Sequence, residues 1–182
     1  AAARTVREYF WFYFALFCFG AAGVVFTVAS SVLYVVLPRR IGTRLGKRII
    51  GAIFRRFLWL LRVTEVARLD LSALDALRGE PGLVIAPNHP CLLDAVFVIA
   101  RVPEVGCIMK AEIQDNIVLG GGARLAGYVR NESGVGMVRL AARQVQSGQP
   151  LLVFPEGTRT RSRPVNRFKG GPLSRLTAVT GN

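Results

Sequence analysis

Between Glu8 and Arg39 the chain carries no charged residue. A bilayer span needs roughly 20 apolar residues, so the run from Tyr9-Phe10-Trp11-Phe12-Tyr13-Phe14 to Leu37 is long enough. It is too long for the core of a secretory signal and lacks a basic-then-short-apolar layout. A buried helix of a soluble core is a poor fit to so long a run. Two arrangements satisfy it: one tilted helix with its aromatic end in the headgroup belt, or a re-entrant pair of helices broken near Gly20-Ala21-Ala22-Gly23. Either makes residues 1–38 a membrane-embedded hydrophobic segment.

The segment after the run is basic. Arg39, Arg40, Arg44, Lys47, Arg48, Arg55, Arg56 and Arg62 are interleaved with Ile49, Ile50, Ile53, Phe54, Phe57, Leu58, Leu60 and Leu61. Apolar residues at three- and four-residue spacing predict an amphipathic helix lying on anionic lipid, where each cation contributes about 1 kcal/mol. The plainer alternative is a charged face in water with its apolar side packed on the domain. Residues 39–79 are thus expected to be a basic interfacial helix and linker. The positive-inside rule places Arg39 onward in the cytoplasm, although Arg4 and Arg7 are positive too. Over the whole chain 24 Lys and Arg face 11 Asp and Glu, a formal net charge of +13 in 182 residues. Such charge favours anionic partners. A hydrophobic fraction of 52% and a mean hydropathy of +0.39 turn that preference towards a membrane and away from nucleic acid.

From residue 80 the pattern changes. Leu83 to Ala86 reads as a strand, Leu92 to Ala100 as a helix and Val105 to Met109 as extended. Ile113 to Ala126 is weakly helical, with an interruption at Gly120-Gly121-Gly122. A helix from Val135 to Gln146 has Ser133 as its N-cap and Ser147-Gly148 as its stop. Leu151 to Phe154 is a short buried strand. The alternation predicts an α/β layer fold over residues 80–182, with a further helix beginning near Gly171. Because the chain starts at Ala1 and stops inside that helix, it is expected to be a piece of a longer protein.

Cys18, Cys91 and Cys107 have no metal-ligand spacing, and a lone histidine makes a zinc site an unnatural expectation. No metal and no resident cofactor are expected. That histidine, His89, directly follows a strand at the turn into a helix, where α/β sites open. Neutral imidazole accepts a proton from a hydroxyl near neutral pH. Asp94, five residues on, is placed to hydrogen-bond the other ring nitrogen and stabilise the imidazolium; a turn histidine with a capping aspartate is the bland alternative. Downstream, Phe154-Pro155-Glu156-Gly157-Thr158-Arg159 supplies a carboxylate, a glycine that lets a ligand come close and a guanidinium suited to phosphate. Arg161, Arg163, Arg167 and Lys169 deepen the positive field.

Asn88-His89-Pro90-Cys91-Leu92-Leu93-Asp94 and Phe154 to Arg159 resemble the HX4D and FPEGTR motifs of the glycerolipid acyltransferases, in the family's order. The resemblance is closest to the 1-acyl-glycerol-3-phosphate acyltransferases. It implies a sheet flanked by helices, with acyl transfer from acyl-CoA or acyl-carrier protein to the hydroxyl of a lysophospholipid. His89 would be the general base and Asp94 its orienter. Glu156, Gly157, Thr158 and Arg159 would bind the acceptor. Lys110, within Met109 to Ile113, and Lys169, within Phe168-Lys169-Gly170, match the family's looser basic blocks. Gly127-Tyr128-Val129-Arg130-Asn131 departs from the family's middle block by lacking its aspartate. Arg130 can still meet an anionic head, and a lyso-ornithine lipid becomes an alternative acceptor. A non-catalytic basic lipid-binding protein is a distant third reading. The implied location is the inner membrane, with the catalytic domain on the cytoplasmic face.

Overall fold

The computed structural model describes residues 2–116, 120–131, 135–161 and 165–167. The apolar run is one continuous helix, α1 (Ala2–Val36), which passes through Gly20–Gly23 without a break. Pro38, which cannot continue a helix but suits the start of one, separates it from α2 (Arg39–Val63). The two helices fold back on each other: Phe19 packs on Phe54 and Phe57, and Arg7 reaches Glu65.

The sheet has the order β1-β4-β2-β3, with β1 Val84–Ile85, β2 Gly106–Lys110, β3 Val129–Asn131 and β4 Leu151–Leu152, and every pairing is parallel. Parallel sheets are covered on both faces, and the central strand obeys: Leu151 and Leu152 are fully buried. Around them lie α3 (Asp94–Arg101), α4 (Ala111–Gln114), α5 (Gly120–Leu125) and α6 (Val135–Gln146). The α/β class expected from the alternation is the observed one. The sequence missed β3 because three residues offer no alternation to read; pairing with β2 makes the strand.

Two expectations are corrected. The glycines Gly120 to Gly122 do not interrupt a helix but form the first turn of α5. Their weak helix propensity, about 1 kcal/mol each relative to alanine, is overridden by packing on α1. A Cβ on Gly121 would stand 2.7 Å from the Thr27 carbonyl, and one on Gly122 2.5 Å from the Phe26 ring. Second, the apolar stripe of α2 does not lie open to lipid. Ile50, Phe57, Leu58 and Leu61 are buried against the domain and α1, while Arg39, Arg40, Arg44, Arg48, Arg55, Arg56 and Arg62 remain exposed. The stripe needed an apolar partner, and α1 and α3 offered one. Ser133, Arg163, Lys169 and the helix expected near Gly171 lie outside the described residues.

Lys47 is the exception on the basic face. It is buried, and its Nζ donates to the Glu104 carbonyl at 2.9 Å and to Gln149 Oε1 at 3.0 Å. Burial pushes its pKa down to about 8, with Glu104 opposing. In the unfolded chain Lys47 titrates near 10.5, so between these values the unfolded state holds more protons and stability rises with pH. Below pH 8 the contribution is flat. The midpoint of urea unfolding in detergent should therefore climb from pH 8 to about 10 in the wild type. In Lys47→Met that climb should disappear.

Candidate active site

Parallel strands carry all their C-terminal ends to one edge, where α/β sites open. Since β1 and β4 are neighbours, the loops after them meet. The first holds His89 and the second Glu156, which places 67 residues of sequence separation within a hydrogen bond.

His89 Nδ1 lies 2.9 Å from Asp94 Oδ2. Both side chains are mostly buried, at 18% and 14% exposure. Asp94 is the first residue of α3, where the helix dipole favours a negative charge. Its Oδ2 also accepts the Cys91 N–H at 2.8 Å, and its Oδ1 accepts the Cys91 thiol at 3.1 Å. A carboxylate only accepts, so Nδ1 is the nitrogen that donates, and in the neutral ring this tautomer leaves the lone pair on Nε2. The Phe154 ring stacks on the imidazole at a centroid distance of 4.1 Å, which fixes the ring plane.

Glu156, expected to bind the acceptor, makes its contacts within the protein. It is 1% exposed, and its oxygens are occupied by the protein. Oε1 accepts the His89 N–H at 3.0 Å and the Thr160 hydroxyl at 2.6 Å; Oε2 accepts the Asn166 N–H at 3.0 Å. Burial opposes its ionisation, but the hydrogen bonds from Thr160, Asn166 and His89 together hold its carboxyl below the ordinary glutamate value. Thr160 N–H in turn donates to the His89 carbonyl at 2.7 Å. The backbone of His89 is thus held on both sides by the second loop. Gly157 turns that loop at φ 64, a left-handed conformation that favours glycine. Thr160 and Asn166 escaped the sequence reading because they lie beyond the motif and only folding brings them to Glu156.

The other expected residues are spread along the same edge. Arg159 is exposed and Thr158 half-buried. Lys110 is exposed at the end of β2, in register with Asn131 of β3. Arg130, one residue earlier on β3, grips Asp115 through two hydrogen bonds of 2.7 and 3.0 Å. Among the described residues, no three His, Cys, Asp or Glu side chains gather as metal ligands would.

A family model described as Acyltransferase matches residues 68–179. The chain belongs to the acyltransferase family. The same acyltransferase fold is seen in the crystal structure of the 1-acyl-sn-glycerophosphate (LPA) acyltransferase PlsC from Thermotoga maritima. The two chains are 19% identical, with a TM-score of 0.72 over 98% of this chain and 72% of that one. A comparison with curated proteins gives no match. For an acyltransferase, an imidazole held by a carboxylate at the rim of a sheet is a group that can take a hydroxyl proton.

Proposed function

We propose that this acyltransferase moves a fatty acyl group from acyl-CoA or acyl-carrier protein to the free hydroxyl of 1-acyl-glycerol-3-phosphate, giving phosphatidic acid at a membrane surface. The observation that carries the chemistry is the 2.9 Å contact between His89 Nδ1 and Asp94, which leaves Nε2 as the base. The acceptor hydroxyl loses its proton to Nε2 as its oxygen attacks the thioester carbonyl. The tetrahedral intermediate then collapses, the C–S bond breaks, and the imidazolium returns the proton to the departing thiolate. Lys110, Arg159 and, when released by Asp115, Arg130 are the cations suited to the acceptor phosphate.

The membrane placement rests on the helix pair. The aromatic and aliphatic side of α1, including Tyr9, Phe10, Phe17, Val25, Val28 and Val35, is exposed, and Arg4–Val36 is long and apolar enough to cross a bilayer. Yet α2 runs back beside α1. An upright pair would sink Arg44, Arg48, Arg55 and Arg56 into hydrocarbon, at about 2.5–3.5 kcal/mol each near its centre. Lying in the interfacial plane, the pair keeps its apolar side in lipid and its arginines among phosphates. The cytoplasmic leaflet, with its anionic lipids, suits that charge.

The engagement of Arg130 by Asp115 favours one rival acceptor, a lysolipid with a differently charged head such as lyso-ornithine lipid. Thiol release from acyl-CoA and from acyl-carrier protein, offered against a panel of lysolipids, separates them. Lysophosphatidic acid should give the highest kcat/KM; preference for another lysolipid would replace this acceptor and keep the reaction.

A further inference from the structure

We infer that the cleft between the first turns of α1 and the C-terminal end of α2 is an anion subsite that takes the phosphate of a membrane lipid, apart from the acceptor cations on the sheet edge. The inference rests on the in-plane placement of the helix pair proposed above.

The cleft has a volume of about 660 Å³, and its walls carry Arg4, Arg7, Arg62 and Arg68 against Glu65 and Asp70. Two of the cations are engaged, Arg4 by Glu8 at 2.8 Å and Arg7 by Glu65 at 3.3 Å. Asp70 directs Oδ1 at Ser72, accepting its N–H at 3.0 Å and its hydroxyl at 2.7 Å. Among the described residues, no carboxylate is paired with Arg62 or Arg68. The dipole of α2 accounts for a cation at Arg62, in its last turn. It does not account for Arg68, which stands five residues beyond the end of the helix at Val63. Glu65 adds a second observation. Its backbone adopts φ 60, the described non-glycine residue with a left-handed conformation, at the position just past a helix where glycine is the unstrained choice. That turn carries the Glu65 carboxylate to Arg7 and leaves Arg62 and Arg68 lining the cleft with no carboxylate partner among the described residues.

The surroundings point to a lipid. Val6 and Phe10, one and three residues from Arg7 on α1, are exposed, so cationic and apolar surfaces adjoin there. A lipid whose phosphate sat between Arg62 and Arg68 would lay its chains along that apolar surface. Ala67 and Leu69, which line the cleft, pack against the same apolar cluster as Leu93, the neighbour of Asp94. Occupancy of the cleft would therefore brace the helix that orients His89.

Charge alone would draw any of these arginines to an anionic surface, so the test keeps the charge and removes the planar fork that grips phosphate in two places. Full-length chain carrying R62K/R68K is compared with R55K/R56K on phosphatidylcholine vesicles with and without phosphatidylglycerol. R62K/R68K should bind the anionic vesicles about tenfold more weakly than wild type, and R55K/R56K within about twofold of it. Equal affinities for the two pairs would overturn the subsite. Calorimetric titration with free coenzyme A distinguishes the source of the phosphate. Loss of coenzyme A binding in R62K/R68K with vesicle binding unchanged would give the cleft to the acyl carrier and overturn the lipid. Failure of the wild type to bind any vesicle would overturn the in-plane placement, and this inference with it, while leaving the acyl-transfer assay intact.

Discussion

His89→Ala should lower kcat by about 10²- to 10⁴-fold, the range a positioned general base contributes. KM for both substrates should move little, because proton removal matters in the transition state and not in the ground state. The variant should fold, since the contacts that tie residue 89 to the second loop use its backbone N–H and carbonyl, which alanine retains. Asp94→Asn should also lower kcat, because an amide nitrogen turned towards Nδ1 would favour the wrong tautomer. Thiol release with a lysolipid acceptor is the measurement. Equal rates in wild type and His89→Ala would remove His89 from the chemistry and leave the family's motif without its catalytic part here.

The second large effect is expected at Glu156, whose carboxylate is engaged within the protein. Glu156→Ala removes the acceptor for three donors at once: the His89 N–H, the Thr160 hydroxyl and the Asn166 N–H. The His89 loop should then drift, and a displacement near 1 Å at a reacting group can cost about 10²-fold. The expected signature is a fall of about 10²-fold in kcat with a lowered unfolding temperature. Thr160→Ser, which keeps the hydroxyl, should stay near wild type, and Thr160→Val should track Glu156→Ala part of the way. If Glu156 gripped the acceptor, its loss would raise the acceptor KM and leave stability alone, which is the result that would refute the positioning role. Acid titration gives an independent check. The folded state holds Glu156 below its ordinary value, so its contribution is fully present above the unfolded value and is lost as pH falls through the folded one. Wild type and Glu156→Ala should therefore converge in stability in acid.

Much of this site was legible in the chain. His89 and Asp94 are five residues apart, and a strand, a turn and a helix start are enough to bring them together, so local sequence carries their contact. The resemblance of two motifs to a known family named the chemistry, and the family model agrees. Glu156 is legible as a site residue, but its partners within the protein are not. A carboxylate in a Pro-Glu-Gly turn looks ready for a ligand, and nothing local reveals that His89, Thr160 and Asn166 will fill it. Arg130 is legible as a cation able to meet an anionic head, but nothing local reveals that the fold sets Asp115 against it.

The helices divide in the same way. The sequence alone determined that residues 9–37 avoid charge, that α2 has one apolar and one basic side, and that strands and helices alternate after residue 80, because these are periodicities of the chain itself. Only the tertiary structure decided what each apolar side would face. α1 and α3 cover the stripe of α2, glycines become a helix where Phe26 and Thr27 leave no room for a Cβ, and three residues become β3 because β2 lies beside them. The physical reason is that burial and pairing belong to two surfaces at once, and a sequence specifies each surface separately.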